Sequence, residues 1–177
     1  TSVVPKQWKA ASISPVPKIS KPLTPADYRP ISITPILSRV MERIIVRDYI
    51  YPSLQCPPQG LTFDDQFAFR PTGSTTAALI KLIQEITAML ENNSYVMVYA
   101  IDFSKAFDTI RHSVLLDKYS RMELPDCIYN WLVGFFRDHS HCTRYAGLVS
   151  AFIGISASII QGSAAGPPSY VVTGSDL

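Results

Sequence analysis

Residues Tyr99 to Asp108 read YAIDFSKAFD, in which an apolar run delivers the acid Asp102 at its end and Phe107 follows five positions on. From Tyr95 to Phe103 the chain alternates too little between apolar and polar residues for a half-exposed strand, so the pattern predicts a central strand covered on both faces. An acid at the end of such a strand suits Mg²⁺, which one or two protein carboxylates hold together with phosphates and water. The alternative is that Asp102 caps the following turn and that Phe107 belongs to the core.

The composition is that of a globular chain. Of its 177 residues, 47% are hydrophobic and 17% are charged, which permits a core and excludes a disordered chain. The net charge of +2 is too small to indicate nucleic-acid binding by itself. The three cysteines lack metal-ligand spacing and cannot all pair, and no apolar run approaches the roughly 20 residues of a membrane span. We expect an intracellular protein, in the nucleus or the cytoplasm, without a membrane partner.

The remaining patterns predict an α+β fold. Prolines between positions 5 and 35 favour short strands and turns in the first part of the chain. Helices are predicted from Pro35 to Tyr51, from Ser74 to Asn93, from His112 to Arg121, from Pro125 to Asp138 and from Pro167 onward. Strand-like runs are Thr143 to Val149 and Phe152 to Ile159. Such an order suits a sheet with helices packed on one side.

The first two helices carry apolar stripes that predict their buried faces. In the first helix, which should stop at Pro52, the stripe has charges on the opposite face and consists of Ile36, Val40, Ile44 and Ile45. In the second, capped by Ser74, the stripe consists of Leu79, Leu82, Ile83, Ile86 and Leu90.

Four segments, in one order, resemble a single family. They are WKAASISPVPK from Trp8 with DYRPISITPILSRVMERII from Asp27, DDQFAFRPTGSTTAAL from Asp64, YAIDFSKAFDTIRH from Tyr99, and QGSAAGPPSYVV from Gln161. Over nearly the whole chain they resemble the reverse transcriptase domain of non-LTR (LINE-like) retrotransposons. The resemblance implies a right-hand polymerase architecture. Residues 1–98, approximately, would form the fingers and first palm elements, and residues 99–177 the palm, an antiparallel sheet with helices packed on one face.

The resemblance also implies a catalytic and nucleotide-binding site. Asp102 matches the metal-binding aspartate of the family, and the backbone carbonyl of Phe103 is a further ligand for Mg²⁺, of which the complete enzyme uses two ions. Lys18 and Arg29 match the cations that hold the triphosphate. Phe107 matches the aromatic gate that senses the sugar, and Gln161 and Gly162 match the glycine-rich segment that contacts the nucleotide.

A second implied site binds nucleic acid. Arg70, Gly73 and Ser74 match the segment that meets the template in the family. A basic residue and small donors at the start of a helix suit phosphate, because free backbone amides point outward there.

The function that the resemblance implies is RNA-directed DNA polymerisation. The parent enzyme would add deoxynucleotides to a primer 3′-hydroxyl, so the expected partners are an RNA template, a DNA primer, deoxynucleoside triphosphates, and the rest of the palm and the thumb. The domain is expected to be incomplete and inactive alone, because no Ala-Asp-Asp hairpin follows Gln161. One alternative is a non-catalytic nucleotide-binding or nucleic-acid-binding module of the same fold. Another is a haloacid-dehalogenase-like phosphotransferase, but that class needs an acid where this chain has Ser104.

Overall fold

The computed structural model describes residues 2–103 and 106–175, and in these ranges the chain forms a sheet with helices. The strands are β1 (Ala10–Pro17), β2 (Tyr28–Ile33), β3 (Ser140–Tyr145), β4 (Leu148–Val149) and β5 (Ile153–Gly154). Their order in the sheet is β2-β1-β3-β4, with β5 also paired to β3. The prolines of the first part of the chain are thus compatible with two short strands, as predicted.

The sheet is mixed rather than antiparallel. Strand β1 pairs antiparallel with β2, where Ser12 lies opposite Ile33, but it pairs parallel with β3, where Ala11 lies opposite His141. The antiparallel sheet was expected for residues 99–177, and within that range β3 pairs antiparallel with β4 and with β5. The parallel partner β1 lies outside that range. A parallel pair needs a long connection, and residues 18–139, which include β2, supply it between β1 and β3.

The helices are α1 (Ile36–Ile45), α2 (Tyr51–Gln55), α3 (Thr75–Leu90), α4 (His112–Arg121), α5 (Asp126–Phe136) and α6 (Gly166–Thr173). The predicted cap of α3 is confirmed, because the Ser74 hydroxyl accepts a hydrogen bond from the Ala77 amide at 3.0 Å. The predicted stop at Pro52 is wrong. A π-helical turn, Val46–Ile50, leads from α1 into α2, and Pro52 lies in the first turn of α2, where a proline is tolerated. In the described residues, no helix combines the length and hydropathy needed to cross a membrane.

The core lies where α4, α5 and α6 meet the helical run from α1 to α2. Its largest fully buried side chains include Tyr119, Phe135, Ile45, Ile50, Leu54, Leu115 and Leu132. The Tyr119 hydroxyl lies 3.0 Å from the Ser169 hydroxyl, and burial raises the pKa of Tyr119 above its usual range. Fully burying one leucine side chain contributes about 1.5–3 kcal/mol, so this cluster dominates the stability of the fold.

A buried histidine lies just beyond α5. His139 is fully buried, and its Nδ1 is 3.2 Å from the carbonyl oxygen of Phe135. Within the described residues its Nε2 has no hydrogen-bond partner. Burial lowers the pKa of His139, because the protonated ring would lose its hydration. Burial therefore favours the neutral form of the ring over the protonated form.

The segment from Tyr95 to Phe103 is not a strand. It has no regular secondary structure, and Tyr99 and Ile101 are 79% and 85% exposed. No strand in the described part of the chain pairs with it. The prediction of a covered central strand is therefore wrong, because apolar content favours burial but only a neighbouring strand completes the backbone hydrogen bonds. The run from Phe152 to Ile159 likewise contains only the two-residue β5.

The predicted apolar stripes of α1 and α3 are mostly exposed. In α1 only Ile45 of the stripe is buried, whereas Ile36 is 73% exposed, and the buried residues beside Ile45 are Ser38 and Glu42. Helix α3 has no buried residue. The prediction that charges of α1 lie on the outer face is thus wrong for Glu42, which lies in the interior.

Candidate functional site

A cavity of about 490 Å³ lies between α1, the turn that contains Phe107 and the segment that leads into α6. Three predicted nucleotide contacts line it together, namely Phe107, Gln161 and Gly162. Two arginines of α1, Arg39 and Arg43, line it as well. The sequence pattern assigned these arginines no role, because charges on an amphipathic helix are most often solvated. We call this space the Gln161 cavity.

Backbone hydrogen bonds bring the two distant segments of the cavity together. The Ile159 amide donates to the Phe107 carbonyl at 2.8 Å, and the Ser158 amide donates to the Ile110 carbonyl at 2.8 Å. From the other side, the amide of Ser32 in β2 donates to the Gln161 carbonyl at 2.7 Å. Gln161 is therefore held between the sheet and the Phe107 turn by main-chain contacts.

Position 162 requires a glycine, because the backbone approaches β2 closely there. Its φ is +110°, and a Cβ at this position would lie 2.3 Å from the carbonyl oxygen of Ser32. Both the left-handed conformation and the lack of space favour glycine. This approach is to the chain itself, and the contact of Gly162 with a nucleotide stays a prediction.

A buried carboxylate anchors the segment after Gly162. Glu42 is 0% exposed. Its Oε1 accepts from the Ser38 hydroxyl at 2.8 Å, and its Oε2 accepts from the Ser163 hydroxyl and from the amides of Ala164 at 2.7 Å and Ala165 at 3.3 Å. These amides precede α6, where unpaired donors and the helix dipole favour a negative charge.

Sequence reasoning missed this role of Glu42. The available signal was its position on one helical face with Ser38, four residues before it, and Ile45, three residues after it. In the described residues Glu42 takes part in no ion pair, so hydrogen-bond donors alone compensate its burial. Through these contacts α1 fixes the position of the turn from Gln161 to Ala165.

An aromatic cluster forms the wall of the cavity at Phe107. The half-buried Phe107 ring lies 4.8 Å from the Tyr170 ring and 6.0 Å from the Phe69 ring, between centroids. Phe69 adopts a φ of +58°, an uncommon conformation for a bulky residue. The predicted nucleic-acid segment around Arg70 therefore contacts the cavity wall through its neighbour Phe69.

The three predicted nucleic-acid contacts have structural roles within the chain. Arg70 donates to the carbonyls of Phe63 and Leu54, the latter at 3.4 Å, and so connects the loop to α2. A Cβ on Gly73 would lie 2.1 Å from the carbonyl oxygen of Phe67, and Ser74 caps α3. These contacts explain the three residue types without a ligand, and binding of a template stays a prediction.

Lys18 and Arg29 lie outside the Gln161 cavity. The Lys18 ammonium donates to the carbonyl of Ala26 at 2.9 Å, within the connection between β1 and β2. Arg29 is exposed on β2, three residues before Ser32, which corresponds to about 10 Å along a strand. The structure therefore brings Phe107, Gln161 and Gly162 together but does not add Lys18 or Arg29 to them.

The predicted metal ligands also lie outside the cavity lining. Asp102 and Phe103 are exposed in the irregular segment, and the next two residues, Ser104 and Lys105, lie outside the described residues. No group of three acidic, histidine or cysteine side chains in the described ranges is arranged to hold a metal. One exposed carboxylate and one carbonyl are suitable oxygen donors for a single hard cation, but two ions need more ligands. The metal role of Asp102 and Phe103 stays a prediction.

A family model matches residues 16–173, which include α1 to α6 and the segments around the Gln161 cavity, and this match defines the class of protein. The chain belongs to the reverse transcriptase (RNA-dependent DNA polymerase) family. It is 33% identical over 175 residues to the RNA-directed DNA polymerase from mobile element jockey of Drosophila melanogaster. It is 31% identical over 174 residues to the probable RNA-directed DNA polymerase from transposon X-element of the same species.

These relatives are much longer than the chain. Each of the two alignments covers 98% of this chain but 19% of the relative. A Retrovirus-related Pol polyprotein from type-1 retrotransposable element R2 of Popillia japonica is 25% identical over 165 residues, 93% of this chain and 22% of that protein. The predicted resemblance to reverse transcriptases of non-LTR retrotransposons is confirmed by these matches.

Proposed function

We propose that this chain forms the deoxynucleotide-binding part of an RNA-directed DNA polymerase. The observation that carries the proposal is the Gln161 cavity, which joins Phe107, Gln161 and Gly162 beside two arginines. Its volume lies within the roughly 300–1,000 Å³ of small-ligand pockets. The approximate division into fingers and first palm elements, residues 1–98, and palm, residues 99–177, is part of this proposal.

The aromatic wall provides the choice of sugar. Phe107 is half-buried, with its ring held against Tyr170, so it cannot move aside without losing that contact. A nucleotide whose sugar lies on this ring would bring a 2′-hydroxyl against carbon atoms that offer it no hydrogen bond, and burying an unpaired hydroxyl is unfavourable. Deoxynucleotides avoid this cost. The side chain of Gln161, which makes no hydrogen bond within the described residues, is free to donate to the ligand.

The chemistry of the complete enzyme requires metal. Asp102 and the carbonyl of Phe103 would hold Mg²⁺, and the two ions of the complete enzyme supply charge neutralisation at the phosphates and activation of the primer hydroxyl. Lys18, in the connection between β1 and β2, and Arg29, on β2, would act at the triphosphate. Asp102 is exposed and therefore accessible to a ligand that enters from solvent.

The template and primer would lie beside the cavity. Arg70, Gly73 and Ser74 are proposed to face the RNA template, and the contact of Phe69 with Phe107 supports this placement, because it joins that segment to the nucleotide wall. The DNA primer would present its 3′-hydroxyl from the side of Asp102.

A second candidate is a non-catalytic nucleotide-binding or nucleic-acid-binding module. The observation that favours it is that Asp102 does not line the cavity that contains Phe107 and Gln161. Primer extension on an RNA template with Mg²⁺ separates the two candidates. Extension that disappears in Asp102→Ala supports the polymerase. Nucleotide binding without extension, by a longer polypeptide that carries an Ala-Asp-Asp hairpin after this chain, supports the module.

The nucleotide proposal is tested by calorimetric titration of the 177-residue chain with dATP and with ATP. We expect dATP to bind about tenfold more tightly, which corresponds to about 1.4 kcal/mol. Phe107→Ala should remove this discrimination, since the ring creates it. Phe152→Ala is the matched control, because Phe152 is exposed and does not line the cavity. Equal affinities for dATP and ATP, or the same loss in both variants, would contradict the proposal.

A further inference from the structure

The cations of the Gln161 cavity come from one face of α1. Arg39 and Arg43 are four residues apart, so their side chains are neighbours on the helix surface. Arg39 is half-buried and Arg43 is exposed, and both line the cavity. Within the described part of the chain neither guanidinium takes part in an ion pair, in contrast to Arg47, which lies 2.5 Å from Asp48. Two arginines with unused donors therefore face one concave space.

The N-terminus of α6 borders the same cavity but has no donors left for a ligand. The amides of Ala164 and Ala165 both donate to Glu42. The amide of Gly166 donates to the Ser163 carbonyl at 3.4 Å, and that of Ser169 donates to the Ala165 carbonyl at 3.1 Å. The intervening Pro167 and Pro168 have no amide hydrogen. A helix start commonly binds phosphate through such amides, but here an internal carboxylate has taken that place.

We propose that Arg39 and Arg43 form a phosphate-binding pair that holds the phosphate groups of the ligand in the Gln161 cavity. A guanidinium presents paired donors in a plane that match two phosphate oxygens, and such charge-assisted hydrogen bonds are stronger than neutral ones. Because Glu42 occupies the backbone donors of α6, these two side chains are the groups on this wall that can neutralise a phosphate.

The pair is distinct from the predicted triphosphate contacts Lys18 and Arg29, which do not line the cavity. The inference rests on the proposed function for the nature of the whole ligand, but the phosphate chemistry follows from the two arginines. The phosphates have two possible sources, a free polyphosphate such as that of a nucleotide and the backbone of a nucleic-acid strand. Both offer the same oxygen atoms to the guanidinium groups.

The experiment titrates the 177-residue chain with inorganic tripolyphosphate and, separately, with a 12-nucleotide single-stranded DNA that lacks a terminal phosphate. We expect Arg39→Gln and Arg43→Gln each to weaken binding of the probe by about tenfold and the double variant by more. Arg39→Lys and Arg43→Lys should lie between wild type and the Gln variants, because charge remains but the paired donors are lost. Arg121→Gln is the control, because it removes the same charge from an exposed arginine that is paired with Asp117 outside the cavity. The affinity of this variant for each probe should stay within twofold of wild type.

The two probes identify the source of the phosphates. Arginine-dependent binding of tripolyphosphate assigns the pair to a free polyphosphate, and arginine-dependent binding of the oligonucleotide alone assigns it to a strand. Absence of binding by both probes, unchanged affinity in the double variant, or an equal loss in Arg121→Gln would overturn the proposal. Circular dichroism of each variant verifies that the chain is folded.

The outcome is separable from that of the proposed function. If the double variant loses tripolyphosphate binding while dATP and ATP bind equally and Phe107→Ala has no effect, the phosphate-binding pair stands and the deoxynucleotide proposal fails. If Phe107→Ala removes the preference for dATP while the double variant binds tripolyphosphate like wild type, the reverse holds.

Discussion

Replacement of Glu42 tests whether α1 positions the turn from Gln161 to Ala165. In Glu42→Ala, four donors lose their acceptor, on Ser38, Ser163, Ala164 and Ala165. A hydrogen bond to a charged group contributes about 1.5–3 kcal/mol, so the gross loss is about 6–12 kcal/mol. Most of this is offset, because a buried carboxylate also loses its hydration on folding. By analogy with the removal of one partner of a buried charged pair, we expect a net destabilisation of about 3–5 kcal/mol.

Glu42→Gln is the more informative variant, because it keeps the shape of the side chain. Its amide oxygen can accept from the Ala164 and Ala165 amides, and its NH₂ group can donate to the Ser38 hydroxyl. Only the charge and its interaction with the start of α6 are lost, so we expect a destabilisation of about 1–2 kcal/mol. Glu85→Ala, at an exposed position of α3, is the control and should change stability by less than about 0.5 kcal/mol.

The assay is urea unfolding followed by circular dichroism, with dATP affinity measured for each folded variant. If Glu42 positions the cavity, Glu42→Gln should weaken dATP binding in addition to lowering stability, and Glu85→Ala should do neither. The reasoning is refuted if Glu42→Ala unfolds at the same urea concentration as Glu85→Ala. It is also refuted if the Gln and Ala variants are equally unstable, since the hydrogen bonds would then contribute nothing. A folded domain is stabilised by only about 5–15 kcal/mol, so the Gln variant keeps the test valid if the Ala variant does not fold.

Two further predictions concern single positions. Gly162→Ala should lower the free energy of unfolding by at least about 2 kcal/mol, and Gly147→Ala, at a φ of +78° with no atom within 4 Å of its Cβ, by only about 1 kcal/mol. Urea unfolding measures both, and equal losses would show that the contact with Ser32 adds no strain. Because burial lowers the pKa of His139 from 6.5, the unfolded chain binds the proton more readily than the folded one. Stability should therefore be highest above about pH 6.5 and decline as the pH falls below it, by up to about 1.4 kcal/mol per pH unit. This decline should become smaller in His139→Gln but not in His141→Gln, and a decline that stays the same in both would contradict the assignment.

Local patterns were sufficient for several elements of the fold. The cap at Ser74, the helix from His112 to Arg121 and the helix after Pro125 follow from residues within a few positions of one another, and they are confirmed. Capping and helical periodicity depend on neighbours in the chain, so a sequence contains them directly. Phe107 and Gln161, which the family resemblance predicted as nucleotide contacts, line the same cavity, and their contact with a nucleotide stays a prediction.

Two of the wrong predictions share one physical cause, which is that the sequence of an apolar face does not specify the segment that packs against it. The apolar segment from Tyr95 to Phe103 was predicted to lie within a sheet, but no described strand pairs with it. Helix α3 has a clear apolar stripe and no buried residue. In both cases the hydrophobic pattern identifies a face that favours burial, but it does not say which other segment reaches that face.

By itself, the sequence determined the family of this protein and the positions of its main helices. It also predicted a common role for Phe107, Gln161 and Gly162, and these three residues line one cavity. Only the tertiary structure decided that Glu42 lies inside, that Arg39 and Arg43 line the Gln161 cavity, and that β1 pairs parallel with β3. The periodicity of a helix specifies which of its residues share a face. Which face becomes buried depends on which other segment of the chain packs against it. For Glu42 that surface is the turn before α6, whose hydroxyl and amide donors lie more than 100 residues away and make the burial of a carboxylate stable.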